Sequence, residues 1–167
     1  MGDVIHIEEL EFRNPRAVDA TPIWHLIEKI GGLERNTSYA YLLLCSHFAG
    51  GSLVATYKEN PVGFVLGYRV PAAKDTMFVW QVGVAPELRG QGLAGALLSR
   101  FVELPEYRTC RFLEATVAPG NEASQALFQG FARRRDLPCS RSAGFPSNLF
   151  PPPHDDEDLY RIGPLNR

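Results

Sequence analysis

The stretch that decides the fold is VGVAPELRGQGLAGALL, residues 82–98. The apolar residues 78–84 predict a strand, and Pro86 ends it because proline has no N–H to donate to a sheet. The glycines of RGQG (89–92) then precede residues 93–98, which have helical character. Glycines at such a junction let another group approach the backbone closely, and the unpaired N–H groups of a first helical turn favour an anion. The sequence therefore predicts a phosphate-binding site made of a strand, a glycine turn and a helix N-terminus.

Three known kinds of phosphate-binding loop can be compared with this turn. A Walker-type loop ends in Gly-Lys-Ser or Gly-Lys-Thr, and neither follows here. Residues 90–95, GQGLAG, fit the letters G-x-G-x-x-G of a dinucleotide-binding fold, but they lie mid-chain without a second β-α-β unit. The pattern R/Q-x-x-G-x-G/A fits better and is matched by Arg89, Gly90, Gln91, Gly92, Leu93 and Ala94. This loop resembles the pyrophosphate loop of the GCN5-related N-acetyltransferases; the alternative is a glycine-rich turn that only caps a helix.

The resemblance to these acetyltransferases implies acetyl-CoA as the co-substrate. It implies that the main-chain N–H groups of residues 89–94 hold the pyrophosphate, and that the main chain of Val82 and Val84 pairs with the pantetheine amides. The N–H of Val82 is then the candidate for polarising the thioester carbonyl, since the central strand of the family's sheet splays apart there.

A second strand-to-helix junction supports the same resemblance. Residues 111–117 predict a strand, Ala118-Pro119-Gly120 ends it, and Asn121 is a natural N-cap for the following helix. The family carries a similar N-x-x-A/S-x-x-L-F/Y helix beside the cofactor. The resemblance implies that Asn121 contacts the pantetheine arm, that Ser124 belongs to the cofactor site, and that Phe128 lies near the thioester. Many relatives have a tyrosine at position 128 that protonates the departing thiolate, a role that phenylalanine cannot take.

Length and composition predict one folded domain over residues 1–167. With 45% hydrophobic residues, the chain is long enough for a core, and its formal net charge of -2 gives no reason to expect nucleic acid or an anionic membrane as a partner. No apolar run approaches the roughly 20 residues of a membrane helix. The N-terminus shows no secretory pattern, so we expect a cytoplasmic protein. Cys45, Cys110 and Cys139 have neither disulfide nor zinc spacing, and we expect reduced thiols and no bound metal.

The remaining elements are predicted from hydrophobic pattern and turn residues. They are a strand at 4–12, a helix at 19–30, a short helix at 39–44 with its cap at 36–38, a hairpin at 52–70 with its turn at 58–61, an irregular flap at 138–154 and a last strand at 159–162. Gly144, Pro146 and the prolines at 151–153 disfavour regular structure in the flap. With the resemblance, the predicted fold class is α/β, with a central, mixed, mostly antiparallel sheet flanked by helices.

The acceptor amine must be recognised by residues outside the cofactor loop. Acetyl transfer requires a neutral amine aligned with the thioester carbonyl and a stabilised oxyanion, and small basic substrates are recognised by carboxylates and aromatic faces. Such groups occur in ERNTSYAY (34–41), WQ (80–81) and HDDEDLY (154–160). Each segment also has a structural interpretation, as core tyrosines, a packed tryptophan and a solvated acidic turn.

Taken together, these segments resemble one branch of the family, the diaminobutyrate acetyltransferases. The matching segments are NTSYAYLLLCSHF, GFVLGYR, DTMFVWQVGV, RGQGLAGALL, PGNEASQALF and HDDEDLYRIGP. The branch acetylates the γ-amino group of L-2,4-diaminobutyrate on the route to ectoine, a compatible solute used under osmotic stress, and the resemblance implies a homodimer. The alternatives are an acetyltransferase for another small amine, such as a polyamine or an aminoglycoside, and a non-catalytic protein that binds acyl-CoA.

The branch also implies roles for individual residues at the acceptor end. Glu34 stands where the branch has a substrate-binding aspartate, and Trp80 matches its substrate-facing tryptophan. His154 and Glu157 match an H-x-D-E segment that closes over the acceptor, and Asp155 in the same segment is counted with the substrate site. For the catalytic base we favour His154, since the ordinary pKa of histidine lies near 6.5, with Glu157 or a water molecule as alternatives.

Two further roles have only candidate residues. The enzyme must distinguish the γ-amine from the α-amine and therefore needs an anchor for the substrate carboxylate, for which Asn36, Thr37 and the adjacent helix N-terminus are candidates. A proton donor must also replace the tyrosine that is missing at position 128. Tyr39 and Tyr41 are the candidates for this acid.

Overall fold

The computed structural model describes residues 5–166, and its contacts divide them into two compact units. The first unit comprises residues 5–68 and 81–106, and the second comprises residues 69–80 and 107–166. Seven strands form a mixed sheet, and one strand, β4 (Thr76–Val84), begins in the second unit and ends in the first. The predicted α/β class with a mixed sheet is confirmed, whereas the single domain over residues 1–167 stays a prediction.

The first unit contains three strands of its own, the second half of β4 and three helices. Its elements are β1 (Glu11–Arg13), α1 (Ala20–Ile30), α2 (Ser38–Ser46), β2 (Leu53–Tyr57), β3 (Asn60–Arg69, all but its last residue) and α3 (Leu93–Phe101). The strands β1, β2 and β3 are antiparallel neighbours. The predicted helix at 19–30 is confirmed, and it ends as expected at Gly31, whose φ of 64° suits glycine.

The core of the first unit is formed by apolar faces that the helical and strand periodicities place inward. On α1 the buried side chains recur at Ile23, Leu26 and Ile27, which is the spacing of one helical face. The buried residues of α3 are Leu93, Leu97, Leu98 and Phe101. The buried centre of β3 completes this core. Because Leu93 is part of the core, the first residue of α3 is held in place immediately after the glycine turn.

The predicted hairpin is confirmed, but its turn is shorter than residues 58–61. Lys58 and Glu59 alone form the turn, with φ values of 48° and 66°, as two-residue hairpin turns require. Pro61 lies in β3 opposite Thr56, where the strand register shifts. A proline is tolerated there because the hydrogen-bond ladder between β2 and β3 is already interrupted. The N–H that proline lacks would have no regular partner at this position.

The predicted strand at 4–12 is wrong for most of its length. Residues Ile7–Glu9 form a short 3-10 turn, closed by the Glu9 carboxylate, which accepts the N–H of His6 at 2.9 Å. The strand is limited to Glu11–Arg13, and residue 4 lies outside the described residues. The side chain of Glu9 thus competes with the ladder for backbone hydrogen bonds, although the alternation of apolar residues favours a strand.

The second unit contains the first half of β4, three further strands and one helix. These are β5 (Phe112–Val117), α4 (Glu122–Arg134), β6 (Cys139–Phe145) and β7 (Glu157–Ile162). β5 is parallel to β4 over Thr76–Val79, and β7 runs antiparallel between β5 and β6. Buried residues alternate along β5, and the buried face of α4 carries Phe128 and Phe131.

The predicted irregular flap is wrong in its first half, because residues 139–145 form β6. Gly144 was expected to disfavour a strand, but it lies at a bulge in the pairing of β6 with β7. A Cβ at this position would lie 2.4 Å from the main-chain oxygen of Glu157, so only glycine allows the strands to approach this closely. The irregular part is therefore residues 146–156, with a short 3-10 turn at Ser147–Leu149.

Within residues 5–166, there is no helix of the length and apolar character that a bilayer crossing would require. The longest helix, α4, has 13 residues and carries two arginines in its last turn.

β4 packs closely against the core at Gly83. A Cβ there would lie 2.7 Å from Cζ of Phe64 and 2.8 Å from Cδ1 of Ile30, which is closer than side-chain carbons approach. The absence of a side chain at Gly83 thus sets how near β4 passes to this part of the core.

Replacing Gly83 with alanine should therefore destabilise the protein by about 1–3 kcal/mol, since an extra methyl group must force Phe64 and Ile30 aside. Urea unfolding measures the change. The matched control is Gly120→Ala, because a Cβ at Gly120 would meet no atom within 4 Å, and its effect should stay within about 0.5 kcal/mol. Equal stability of Gly83→Ala and the control would contradict this account of β4 packing.

Asp19 is a buried charge at the start of α1, with 3% of its surface exposed. Its carboxylate accepts hydrogen bonds from two nitrogens of Arg13, at 2.8 and 2.9 Å, and from the main-chain N–H of Arg16 at 2.6 Å. Burial by itself would raise the pKa of this carboxyl group, but the hydrogen bonds and the positive charges of Arg13 and Arg16 outweigh it and lower the pKa. The same hydrogen bond raises the pKa of the Arg13 guanidinium.

The Asp19→Asn variant should lose about 2–3 kcal/mol of unfolding free energy at neutral pH, because a buried pair loses one charged partner. A carboxyl group with a lowered folded-state pKa stabilises the fold fully above its unfolded value of about 3.9, and this contribution is lost as the pH falls through the folded value. Urea unfolding between neutral and acid pH should show a steeper loss for the wild type than for Asp19→Asn below about pH 5. Parallel pH dependences would show that Asp19 is not the titrating group.

Candidate active site

The glycine turn lies in the first unit, between β4 and α3 as the sequence predicts, and a short 3-10 turn at Pro86–Leu88 separates it from the end of β4. Residues 89–92 are exposed, and Gly90 and Gly92 have φ values of 76° and 82°. A Cβ at either glycine would meet no atom within 4 Å, so the backbone angle and not crowding requires glycine here. Gly92 is the N-cap of α3 and has no side chain to accept a hydrogen bond, which leaves the first N–H groups of the helix available to an anion.

The turn is held on both sides by its neighbours in the first unit. Leu88 and Leu93 are buried before and after the exposed loop. The guanidinium of Arg89 donates a hydrogen bond to the main-chain oxygen of Ile30 at 2.5 Å, at the last turn of α1. This contact anchors the side chain of Arg89 to α1, and the pyrophosphate-binding role of the main-chain N–H groups of residues 89–94 stays a prediction. The main-chain roles predicted for Val82 and Val84 stay predictions; Val82 is half-buried and Val84 is buried.

The predicted acceptor residues of the first unit lie on the connection between α1 and α2. Residues 31–37, here called the acceptor segment, contain Glu34, which is exposed, and Asn36, which is half-buried. Thr37 is the N-cap of α2, and its hydroxyl accepts the N–H of Ala40 at 3.4 Å, so the predicted cap is confirmed. The structure thus brings Glu34, Asn36 and Thr37 together on one short segment beside a helix N-terminus.

The two candidate tyrosines differ completely in their surroundings. Tyr39 is 65% exposed, whereas Tyr41 is fully buried. The hydroxyl of Tyr41 donates a hydrogen bond to Oε1 of Gln81 at 3.0 Å and accepts the N–H of Asn36 at 3.3 Å. The hydroxyl of Tyr41 is therefore engaged in hydrogen bonds inside the protein. Only Tyr39, of the two, is accessible to a ligand from solvent.

In the second unit, Asn121 begins α4 and confirms the predicted N-cap. Its side-chain oxygen accepts the N–H of Ser124 at 3.1 Å, and Gln125 donates to the oxygen of Pro119 at 2.7 Å, which fastens the turn before the helix. Phe128 is 2% exposed and belongs to the buried face of α4. Trp80, on the part of β4 in this unit, is half-buried. The binding roles of these residues stay predictions.

The flap brings His154 and Glu157 together. Nε2 of His154 lies 3.9 Å from Oε1 of Glu157, and both side chains are half-buried. The Nδ1 atom lies 2.6 Å from the main-chain oxygen of Asp155, so a neutral imidazole carries its proton on Nδ1 and leaves Nε2 as the acceptor. The ring also stacks on Phe150, with centroids 3.7 Å apart and planes at 5°. The imidazole is therefore fixed in tautomer and orientation, as a general base requires.

The neighbouring acidic residues have a structural role that the sequence analysis missed. The Asp156 carboxylate accepts the N–H of Ser147 at 2.7 Å, which joins the two ends of the irregular segment. This hydrogen bond lowers the pKa of the Asp156 carboxyl group. Asp158 on β7 pairs with Arg141 on β6 at 2.5 Å, and this pairing raises the pKa of the Arg141 guanidinium. Asp155, counted with the substrate site, is exposed.

The three cysteines differ in their exposure to solvent. Cys45 and Cys110 are buried, and Cys139 is exposed. Burial raises the pKa of Cys45 to about 12, so it is a thiol and not a nucleophilic thiolate at neutral pH. In the described part of the chain, no three His, Cys, Asp or Glu side chains group as metal ligands.

Comparison with known proteins places the chain in a family. Residues 16–131 match the model of the acetyltransferase (GNAT) family. The L-2,4-diaminobutyric acid acetyltransferase of Oceanobacillus iheyensis is 40% identical over 168 residues, covering 98% of this chain and 93% of that protein. The enzyme of the same name from Streptomyces coelicolor is 41% identical over 161 residues, covering 95% of each protein.

Solved structures agree with the sequence comparison. The diaminobutyrate acetyltransferase from Paenibacillus lautus, in complex with its substrate L-2,4-diaminobutyric acid and coenzyme A, superposes with a TM-score of 0.90. It is 38% identical, and the match covers 95% of this chain and 97% of that one. Ard1 from Thermoplasma volcanium shares the fold alone, with a TM-score of 0.77 at 16% identity. The chain belongs to the GNAT acetyltransferase family and, within it, to the L-2,4-diaminobutyric acid acetyltransferases.

Proposed function

We propose that this chain transfers the acetyl group of acetyl-CoA to the γ-amino group of L-2,4-diaminobutyrate. The observation that carries the proposal is the similarity, along nearly the whole chain, to the Paenibacillus lautus enzyme, whose structure holds diaminobutyric acid and coenzyme A. The product is N-γ-acetyl-diaminobutyrate, and the same resemblance implies a place in ectoine biosynthesis. The family match over residues 16–131 includes segments of both units, which supports a single N-acetyltransferase domain.

The glycine turn supports acetyl-CoA as the donor. Its two left-handed glycines leave the main chain uncovered, and the uncapped first turn of α3 supplies N–H groups and the positive end of a helix dipole. These groups suit the pyrophosphate of coenzyme A. We assign the pantetheine arm to the main chain of Val82 and Val84 and to Asn121 and Ser124.

The acceptor residues divide between recognition and proton transfer. We assign the ammonium groups of diaminobutyrate to the exposed Glu34 carboxylate and to Trp80, and the substrate carboxylate to Asn36 and Thr37. The amine must lose a proton before its nitrogen attacks the thioester carbon, and Nε2 of His154 is the acceptor for that proton.

The nearby Glu157 carboxylate stabilises the imidazolium that forms when His154 takes the proton. The attacking nitrogen then gives up its second proton to water as the C–S bond breaks, and coenzyme A leaves as a thiolate that must be protonated. Because the Tyr41 hydroxyl is bonded to Gln81, we assign this protonation to the exposed Tyr39. We further propose a cytoplasmic homodimer, as the family resemblance implies.

The proposal is tested by measuring thiol release from acetyl-CoA with L-2,4-diaminobutyrate, ornithine, lysine, spermidine and an aminoglycoside, followed by NMR of the product. We expect a strong preference for diaminobutyrate and acetylation at its γ-nitrogen. Release with spermidine or the aminoglycoside alone would keep the acetyltransferase chemistry and contradict this acceptor. Bound acetyl-CoA without release on any amine would favour the non-catalytic alternative.

Removing the proton acceptor or its partner should slow the reaction without weakening the binding of acetyl-CoA. We expect His154→Ala and Glu157→Gln to lower turnover by roughly ten- to ten-thousand-fold, a range that includes the hundred- to ten-thousand-fold typical of general base catalysis, while the dissociation constant of acetyl-CoA stays unchanged. Steady-state kinetics and calorimetry measure the two quantities. The matched controls are His47→Ala and Glu8→Gln. Both residues are exposed and lie outside the proposed site, so these variants should have the turnover of the wild type. If His154→Ala and Glu157→Gln both keep wild-type turnover, these two residues take no part in the reaction.

A further inference from the structure

The acceptor segment has little to hold it at its beginning. It starts with Gly31 and Gly32, whose φ values of 64° and 73° favour glycine, and a Cβ at either would meet no atom within 4 Å. Glu34 is exposed. Packing and intrinsic stiffness therefore do not explain how the main chain around Glu34 is fixed, although a group that selects one of two amines must be held accurately.

Gln81 supplies the first anchor. Its side-chain nitrogen donates a hydrogen bond to the main-chain oxygen of Glu34 at 2.8 Å. Its side-chain oxygen accepts the hydroxyl of Tyr41 at 3.0 Å, so both ends of the amide are used and its orientation is determined. Because Gln81 lies on β4, this hydrogen bond ties the acceptor segment to a strand of the sheet, two residues before Gly83.

Asn36 is held from two directions. Its main-chain N–H donates to the hydroxyl of Tyr41 at 3.3 Å, and its main-chain oxygen accepts the indole N–H of Trp24 at 3.1 Å. Tyr41 is fully buried, so its hydroxyl is shielded from competing water. The two peptide groups that flank Arg35 are thus bonded to Gln81 on β4 and Tyr41 on α2, and the peptide group after Asn36 is bonded to Trp24 on α1.

These anchors are neutral, and the cation next to Glu34 is engaged elsewhere. The guanidinium of Arg35 pairs with Glu28 at 3.0 Å and lies 4.2 Å from the ring centre of Trp24. Among the residues that the structure describes, no ion pair neutralises the Glu34 carboxylate. A neutral amide at position 81 fixes the main chain of Glu34 while leaving its negative charge for a cationic substrate.

We propose that Gln81 and Tyr41 are positioning residues, which fix the main chain of Glu34 and Asn36 and thereby set the affinity for the acceptor amine. This inference rests on the proposed function, in which Glu34 binds an ammonium group. Neither residue touches the reacting atoms in this account. Their loss should weaken binding of the acceptor and leave binding of acetyl-CoA intact, because the glycine turn has separate anchors at Leu88, Leu93 and Ile30.

Three single variants and one double variant test the network. Gln81→Leu removes both hydrogen bonds, Gln81→Glu keeps the acceptor for Tyr41 but loses the donor to Glu34, and Tyr41→Phe removes the hydroxyl. Each should raise KM for diaminobutyrate by about ten- to one-hundred-fold, the cost of one or two lost hydrogen bonds, with acetyl-CoA affinity changed less than about two-fold. The double variant of Gln81→Leu and Tyr41→Phe should add less than about two-fold, since both substitutions release the same segment.

The control is Ser52→Ala, which removes another buried hydroxyl of the first unit. The Ser52 hydroxyl accepts the N–H of Gly67 at 3.1 Å, and it lies outside the proposed site. This variant should lower the melting temperature as Tyr41→Phe does but leave KM unchanged. If the Gln81 and Tyr41 variants also lose melting temperature or active fraction with a wild-type KM, their role is structural and the inference is overturned.

A failure of the proposed function remains distinguishable from a failure of the network. The wild-type assay with the amine panel decides the function first. Hydrogen exchange at the Asn36 amide, followed by NMR, then tests the network without any substrate. Tyr41→Phe should accelerate this exchange by at least about ten-fold, because the amide loses its buried acceptor. Unchanged exchange would overturn the inference even if the enzyme acetylates diaminobutyrate.

Discussion

The close approach of β4 to the core at Gly83 is the constraint on which the first unit depends. Because this residue has no side chain, the strand passes against Phe64 and Ile30, and its position is fixed by contacts that even one methyl group would disturb. Two features follow directly from that position. Gln81 is placed where its amide reaches the acceptor segment, and the glycine turn follows the strand's end, where Arg89 bonds to the last turn of α1. The donor and acceptor ends of the proposed site in this unit therefore share one rigid element.

Local signals made much of the fold predictable from sequence. Gly31, Thr37, Gly92 and Asn121 each begin or end a helix by a mechanism that depends only on the residue and its near neighbours. The failures have a different origin. Gly144 disfavours a strand on local grounds, yet the oxygen of Glu157, thirteen positions away, makes glycine necessary at the bulge of β6. A pairing of this kind depends on a tertiary partner that no local pattern contains.

The same distinction between local and tertiary signals applies to the residues of the proposed site. The glycine turn and the pairing of His154 with Glu157 follow from motifs whose residues are close in sequence. The different surroundings of Tyr39 and Tyr41 could not be predicted, because one helix position faces solvent and the other the core, and the continuous apolar run YAYLLLC (39–45) does not show which. The role of Gln81 was missed for another reason. Its partner is the main-chain oxygen of Glu34, 47 residues earlier, and a main-chain acceptor leaves no mark in the sequence.

Two carboxylates of the first unit, the buried Asp19 and the exposed Glu34, are held in opposite ways. Asp19 keeps its charge in the interior only because two nitrogens of Arg13 and one N–H of Arg16 compensate it. A carboxylate that is buried and paired in this way is not accessible to a substrate. In the acceptor segment, by contrast, the main chain is held by neutral groups, the amide of Gln81 and the hydroxyl of Tyr41. Because these groups bond to each other, burying them costs little free energy. The Glu34 side chain can then stay exposed and charged while its backbone is held, which is the combination that recognition of a small ammonium compound requires.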